Sequence, residues 1–139
     1  METKIRYLVD TNIWLERLLD QEKSEIVSKF FNKIPVDQVF ISDFALHSIG
    51  VILNRLKKIE IFDKFIFDLF ENAQIEQISL EQDDYFDLIS NIEKYELDFD
   101  DSYQLMLSQK YEMKLITFDK DFNVEGVNKA TPEEILGNQ

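Results

Sequence analysis

Hydrophobic positions along the chain form short apolar runs that alternate with stretches of helical periodicity. Tyr7-Leu8-Val9 is an apolar run that stops at Asp10, and the apolar positions from Ile13 to Leu19 have the spacing of one helix face. The same alternation continues to the C-terminal end. We predict strands near residues 5–9, 38–41, 75–80, 114–118 and around 127, and helices over 13–19, 23–33, 44–58, 61–71, 82–95, 99–111 and from 132 onward.

The order of these elements predicts an α/β protein. Strands separated by one or two helices favour parallel pairing, because parallel neighbours need a crossover connection. We therefore expect a three-layer α/β/α fold around a central, mainly parallel sheet of about four to five strands. No internal repeat, low-complexity stretch or Pro/Gly/Ser-rich linker interrupts residues 1–139, so a single domain is expected.

Composition narrows the classes of function. The 139 residues include 28 Asp and Glu against 15 Lys and Arg, for a formal net charge of −13, with one His and no Cys. This excludes disulfides, thiolate nucleophiles and multi-histidine metal centres. The acidity also argues against binding of nucleic acid through bulk positive charge. Carboxylate chemistry remains, in particular a hard cation held by oxygen ligands.

The N-terminal region carries no recognisable targeting signal. Its first apolar run ends at Asp10 and is too short for a signal peptide. A membrane span needs about 18 consecutive apolar residues, and the chain has no such stretch. We therefore expect a soluble, cytoplasmic protein without membrane contact.

Three aspartates lie where the predicted strands and helices meet. Asp10 and Asp119 each follow a predicted strand, and Asp101 lies in the first turn of the helix before the second of these strands. Ligands of open α/β sheets bind beyond the carboxyl ends of the strands, where clustered carboxylates repel each other unless a cation lies between them. A Mg²⁺ or Mn²⁺ ion there would hold a phosphate and activate a water, which points to phosphodiester hydrolysis. An Asp at such a corner is equally an ordinary helix N-cap, which is how we interpret Asp98.

Three segments, in this order and spacing, resemble the PIN domain family. The segment YLVDTNI around Asp10 resembles the family's opening strand and first acid. The segment LDFDDS resembles its third acidic position, at Asp101, and LITFDKDF resembles its T-x-D-x-x-F signature, with the fourth acid at Asp119. The closing strand and the capped helix at Thr131-Pro132-Glu133-Glu134 also fit, so the similarity covers essentially the whole chain.

The resemblance extends to the small toxin nucleases of VapBC-type toxin–antitoxin pairs. It implies a Mg²⁺- or Mn²⁺-dependent endoribonuclease with Asp10, Asp101 and Asp119 as the catalytic, metal-binding carboxylates. It also implies an RNA substrate and a small antitoxin whose Arg or Lys enters the acidic pocket. A homodimer is a further expectation from the resemblance.

One position departs from the family pattern. The glutamate that the family places on the helix after its second strand is replaced by Ser48. Asp43 is the nearest carboxylate, but five residues on an α-helix correspond to about 140° of separation, and we predict that Asp43 caps the helix. A degenerate module that binds RNA or protein without catalysis is therefore the alternative function. A haloacid-dehalogenase-like phosphatase is disfavoured, since its second aspartate would stand where Asn12 does.

Four more side chains have both a functional and a structural interpretation. Asn12 either orients Asp10 and a metal-bound water or forms a turn. Thr117 either steadies the site through its hydroxyl or simply favours a strand. Asp121 either supports the site from outside the ligand set or is an alternative ligand to Asp119. His47, beside the vacant acidic position, either contacts metal or phosphate or is a packing or surface residue.

Two residues in the predicted helices concern packing. Gly50 in mid-helix costs about 1 kcal/mol relative to Ala, which predicts a close helix approach. Phe67 lies off the main apolar stripe of its helix and is predicted to face an oligomer or partner.

Overall fold

A computed structural model describes residues 4–120 and 126–137, and its elements follow the predicted alternation. Within these residues the chain forms five strands and seven α-helices. In chain order they are β1 (Tyr7–Val9), α1 (Thr11–Leu18), α2 (Ser24–Lys33), β2 (Val39–Ser42), α3 (Asp43–Arg55), α4 (Ile59–Ile66), β3 (Glu76–Ile78), α5 (Asp84–Tyr95), α6 (Phe99–Lys110), β4 (Lys114–Ile116), β5 (Lys129–Ala130) and α7 (Pro132–Gly137).

The five strands form one parallel sheet in the order β3-β2-β1-β4-β5. In the register of the central strands, Leu8 of β1 lies opposite Phe40 of β2 and Leu115 of β4. The helical crossovers between β1, β2, β3 and β4 allow this parallel pairing. The predicted α/β class with a parallel sheet is therefore confirmed.

The two faces of the sheet are covered by different helices. Leu8 and the residues opposite it point into a core formed with α5 and α6. Val9, Ile41 and Ile116 point the other way, into a core formed with α1, α2, α3, α4 and α7. Because alternate residues of a strand face opposite sides, continuous apolar strands require helices on both faces. The result is the predicted three-layer α/β/α arrangement.

Two helices of the larger core approach each other closely. A Cβ atom added to Gly50 of α3 would lie 3.2 Å from Cζ of Phe62 in α4, which confirms the predicted close approach. The helix predicted over 61–71 changes character at Phe67, where α4 gives way to a π-helical segment, Phe67–Asn72. Phe67 itself is 58% exposed, and its contact with a partner stays a prediction.

Side chains at the starts of the helices account for several boundaries. The hydroxyl of Ser42 accepts from the Ala45 N–H at 2.9 Å, so the cap of α3 is Ser42, and the expectation that Asp43 caps this helix is wrong. Asp98 caps α6 as predicted. At α7, Thr131 and Glu134 form the predicted reciprocal capping box.

The last strand lies two residues beyond its predicted centre at Val127. Its bounds are set by pairing with β4, since Leu115 and Ile116 lie opposite Lys129 and Ala130. Among the helices of the described residues, none combines the length and apolar character needed to cross a membrane.

Candidate functional site

The candidate site lies at the switch point of the sheet, between β1 and β4. The chain adds β2 and β3 on one side of β1 and β4 and β5 on the other, and this reversal opens a crevice at the carboxyl ends of the central strands. Val9 lies opposite Ile116 in the register, and the N–H of Asp10 donates to the Ile116 carbonyl at 2.9 Å. Asp10 and Thr117 therefore emerge side by side at this edge.

Asp10 is a buried acceptor whose orientation is fixed by three donors. Only 8% of the residue is exposed. Its Oδ1 accepts from the Thr11 N–H at 2.8 Å and from Nε2 of Gln104 at 3.1 Å, and its Oδ2 accepts from the Thr117 hydroxyl at 2.8 Å. Burial raises the pKa of the Asp10 carboxyl, and these hydrogen bonds oppose the rise. The carboxyl is thus held in one orientation at the floor of the crevice.

The hydroxyl of Thr117 joins the ends of β1 and β4. Besides donating to Asp10, it accepts from Nδ2 of Asn12 at 3.2 Å and from the N–H of Asp119 at 3.0 Å. Oδ1 of Asn12 in turn accepts from the N–H of Phe118 at 3.3 Å. Asn12 and Thr117 therefore both lie beside Asp10 and hold the chain segment that carries Asp119.

The first turn of α6 brings a third carboxyl to the same place. Asp98 caps the helix by accepting from the N–H of Asp101 at 2.9 Å, and the Asp101 carboxyl lies close enough to that of Asp119 for the two to interact electrostatically. Burial, with the negative charges of Asp119, Asp98 and Asp10, raises the pKa of Asp101 to about 7. Asp10, Asp101 and Asp119 thus form one electrostatically coupled group, which we call the carboxylate wall.

Helix α3 forms the opposite wall of a cleft of about 470 Å³. Ser48, His47 and Arg55 line this side, which we call the α3 wall. Asp43 is not among the residues lining the cleft, and it accepts instead from the Tyr103 hydroxyl at 2.7 Å. Asp121, predicted as an alternative ligand, falls outside the described residues.

Comparison with protein families identifies the arrangement. The PIN domain profile matches residues 7–125, which includes both walls of the cleft. The chain belongs to the PIN domain family. Comparison with curated protein sequences gives no match.

Solved structures with the same fold come from several bacteria. A toxin–antitoxin complex from Klebsiella pneumoniae superposes with a TM-score of 0.71 at 21% identity, covering 91% of this chain and 97% of that one. VapC20 from Mycobacterium tuberculosis, a sarcin–ricin loop cleaving toxin, gives 0.68 at 17% identity and 87% and 95% coverage. FitAcB from Neisseria gonorrhoeae gives 0.68 at 17% identity and 91% and 98% coverage. These likenesses show that the PIN fold is shared over nearly the whole chain.

One residue of this PIN domain site was not predicted from sequence. Gln104 is 2% exposed, donates to Asp10, and lines the cleft, while its Oε1 has no hydrogen-bond partner within the described residues. The signal was present in the sequence, because Gln104 lies three residues after Asp101 and so on the same face of α6. It was missed because the apolar residues that follow it, Leu105 to Leu107, are typical of a helix segment buried in a core.

The chemistry of the cleft fits a hydrated divalent cation. The donors are oxygen atoms, and the repulsion that raises the pKa of Asp101 is the kind that such a cation relieves. The Oε1 of Gln104, which has no hydrogen-bond partner in the part of the chain that the structure describes, adds a buried acceptor to which a cation-bound water would donate. Across residues 4–120 and 126–137, no three acidic or histidine side chains are grouped closely enough to enclose a metal. The arrangement therefore suits Mg²⁺ or Mn²⁺, which keep several waters, rather than a cation caged by protein.

Proposed function

We propose that this PIN domain is a Mg²⁺- or Mn²⁺-dependent endoribonuclease that acts as the toxin of a type II toxin–antitoxin pair. The observation that carries the proposal is the convergence of Asp10, Asp101 and Asp119 at the switch point of the sheet. Carboxylates that are costly to ionise together become favourable ligands once a divalent cation is present.

Asp10, Asp101 and Asp119 would hold the cation. When bound, the cation supplies charge neutralisation at the scissile phosphate and lowers the pKa of an attacking water. The contribution of the chain itself is orientation: Thr117 and Gln104 fix the two oxygens of Asp10 before any ligand arrives. Such preorganisation reduces the reorganisation needed as charge develops on the phosphate.

The partner part of the proposal rests on the structural neighbours and on charge. One neighbour is a toxin–antitoxin complex and another is a sarcin–ricin loop cleaving toxin. The cleft is acidic and the chain carries a formal net charge of −13, so a small antitoxin with an Arg or Lys side chain complements it. A homodimer, a cytoplasmic location and a single domain over residues 1–139 complete the proposal.

The test is cleavage of single-stranded RNA in Mn²⁺ or Mg²⁺. Asp10→Asn and Asp119→Asn remove one charge each while keeping the side-chain shape, and each is expected to abolish cleavage. Asp63→Asn, at an exposed position of α4, makes the same charge change away from the cleft and is expected to cleave normally. If both cleft variants cleave as fast as the wild type, the assignment is wrong.

A degenerate PIN module that binds RNA or protein without cutting is the second candidate. Ser48 favours it, because the α3 wall then lacks the carboxylate that the family places there. Fewer acidic ligands weaken the affinity for a divalent cation. Calorimetric titration with Mn²⁺ separates the two functions, since a non-catalytic module would show no binding in the sub-millimolar range expected of a working site.

A further inference from the structure

Aromatic side chains gather at one end of the carboxylate cleft. The rings of Phe44 and Phe99 each pack against Tyr103, with centroids 5.4 Å and 6.5 Å away, and lie 6.5 Å from each other. Tyr103 is buried and its hydroxyl is fixed by Asp43, so it forms a rigid base for the other two. We call these three residues the aromatic cluster.

Phe44 and Phe99 are the members of the aromatic cluster that lie nearest the cleft. Phe44 lines the cleft directly. Phe99 is 47% exposed and immediately precedes Asp100 and Asp101, which also line it. An exposed phenyl ring supported from below by a second ring offers a flat apolar face beside the carboxylates. Such faces stack with nucleobases in proteins that bind single-stranded nucleic acid.

A cationic group lies at the other end of the same wall. Phe44, Ser48 and Arg55 recur at helical spacing along α3 and all line the cleft. Phe44 and Arg55 are 11 positions apart in the sequence, which corresponds to about 16 Å along the helix. A segment of a few nucleotides spans this distance. The phosphate that faces the carboxylates would then lie between the base at Phe44 and the phosphate at Arg55.

We propose that a single strand of RNA lies along α3, with one base stacked on Phe99 and Phe44 and a phosphate paired with Arg55. The inference rests on the proposed function, because it takes the phosphate between these contacts as the one presented to the carboxylate wall. Base-paired RNA does not offer a free base face, so the subsite selects unpaired loops or single strands. Stacking on phenyl rings accepts every base, which makes the subsite tolerant of sequence.

We call the line along α3 from the aromatic cluster to Arg55 the track. Its two ends, rather than the carboxylates between them, favour RNA over a protein segment as the occupant. A basic peptide that neutralises the carboxylates would meet the guanidinium of Arg55 on the same face. A nucleic acid strand carries a negative phosphate for Arg55 and an apolar base for the aromatic cluster. It therefore matches both ends of the cleft at once.

Stacking is measured with single-stranded oligonucleotides that carry one 2-aminopurine at successive positions. Binding is followed by fluorescence in Ca²⁺, with product analysis to check that the RNA stays intact. We expect quenching at one position in the wild type and in Phe99→Trp. In Phe99→Leu, which keeps apolar volume but loses the ring, we expect no quenching and an affinity about tenfold lower. Phe86→Leu is the matched control, since Phe86 is 74% exposed on α5 and does not line the cleft.

Two further measurements make the result specific. An abasic site at the quenched position should weaken wild-type binding as much as Phe99→Leu does, and combining the two should add no further loss. Arg55→Gln should lower the slope of log affinity against log salt by about 0.7, the value for one single-strand phosphate contact, whereas Lys29→Gln on α2 should leave the slope unchanged.

The outcomes separate this inference from the proposed function. If the wild type cuts RNA, and Phe99→Leu binds RNA, quenches the 2-aminopurine and cuts RNA as the wild type does, the proposed track is wrong and the nuclease assignment is unaffected. If Phe99→Leu behaves in this way but no longer binds a protein partner, the aromatic cluster belongs to the binding site of that partner, and the proposed track is again wrong. If the wild type binds and quenches without cutting, the track stands and the nuclease assignment fails.

Discussion

The two walls of the cleft differ in how firmly the fold holds their side chains. On the carboxylate wall, Asp10 is buried and receives three hydrogen bonds, and Asp119 is tied to Thr117 through its backbone. On the α3 wall, Ser48 is half-buried and Arg55 is exposed. Side chains that the fold itself constrains are suited to positioning a cation, whereas exposed ones are free to adapt to a substrate.

Ser48, where the family resemblance predicts a glutamate, lies on the less constrained wall. Ser48 lines the cleft and is half-buried, so the fold places little demand on which residue stands there. A change at Asp10 or Thr117 would disturb the hydrogen bonds that join β1 to β4. We therefore expect substitutions on the carboxylate wall to have large effects on cleavage, and substitutions on the α3 wall to have smaller effects that differ from one position to the next.

Among changes that leave every acid of the cation site in place, the largest effect is expected from Thr117→Val, which breaks the junction of the carboxylate wall. Three hydrogen bonds are lost and their partners remain partly buried, so the free energy of unfolding should fall by about 2 kcal/mol. RNA cleavage should fall about 100-fold, because Asp10 loses a fixed orientation. Thermal unfolding and single-turnover kinetics measure the two effects.

Two matched variants control for stability alone. Thr131→Val removes the capping hydroxyl of α7, so it should cost about 1 kcal/mol of stability and leave cleavage intact. Thr117→Ser keeps the hydroxyl and should retain most cleavage. Equal loss of cleavage in Thr131→Val and Thr117→Val would mean that the junction has no special role.

Ser48→Glu tests whether adding a carboxylate to the α3 wall is enough to strengthen cation binding and cleavage. An additional carboxylate should tighten Mn²⁺ binding by about tenfold, because affinity for hard cations rises with the number of charged ligands. Cleavage should rise with it if the site is a weakened enzyme. Ser48→Gln has the same length without the charge and should do neither. Tighter Mn²⁺ binding without any cleavage would favour the degenerate module.

Asp101→Asn tests the electrostatic coupling of the carboxylate wall through pH. The pKa of Asp101 is about 7 in the folded protein and near 3.8 when unfolded, so its contribution to stability is complete below pH 4 and is lost as pH rises through 7. Without metal, the Asn variant should therefore be more stable than the wild type at pH 8, by about 1 kcal/mol because solvent still reaches this carboxyl.

The pH dependence supplies its own control. At pH 4 the wild type and Asp101→Asn should unfold at similar temperatures, and Asp87→Asn on α5 should show no pH-dependent gain. Mn²⁺ at pH 8 should raise the unfolding temperature of the wild type more than that of Asp101→Asn. An Asn variant that is no more stable than the wild type at pH 8 would contradict the coupling.

The smallest effect is expected at His47. It is exposed and lines the edge of the cleft, and an oxygen-seeking cation has little need of an imidazole. His47→Gln should change Mn²⁺ affinity and cleavage by less than about twofold. A loss of tenfold or more in either would make His47 a functional member of the α3 wall.

The carboxylate wall was the part of the site that could best be predicted from the sequence. Asp10 and Asp119 end apolar runs, and the parallel order of the elements brings such ends to one edge of the sheet. Asp101 follows from its place in the first turn of α6, after the cap at Asp98. Their meeting in one cleft was predicted, while their roles as ligands stay predictions.

Features that depend on tertiary contacts could not be predicted from the sequence. Gln104 lies in a buried helical stretch, and only the structure shows that its amide reaches Asp10. The cap of α3 was given to Asp43, because both Ser42 and Asp43 suit a cap and only the Tyr103 hydroxyl decides between them. The place of Arg55 in the cleft could not be predicted either, since the cleft it lines is formed by elements distant in sequence.

Calorimetric titration of Mn²⁺ at pH 8 tests the central claim most directly, that the carboxylate wall holds a catalytic cation. We predict sub-millimolar binding to the wild type and to Asp63→Asn, and loss of that binding in Asp119→Asn. Equally weak binding to all three proteins would contradict the account.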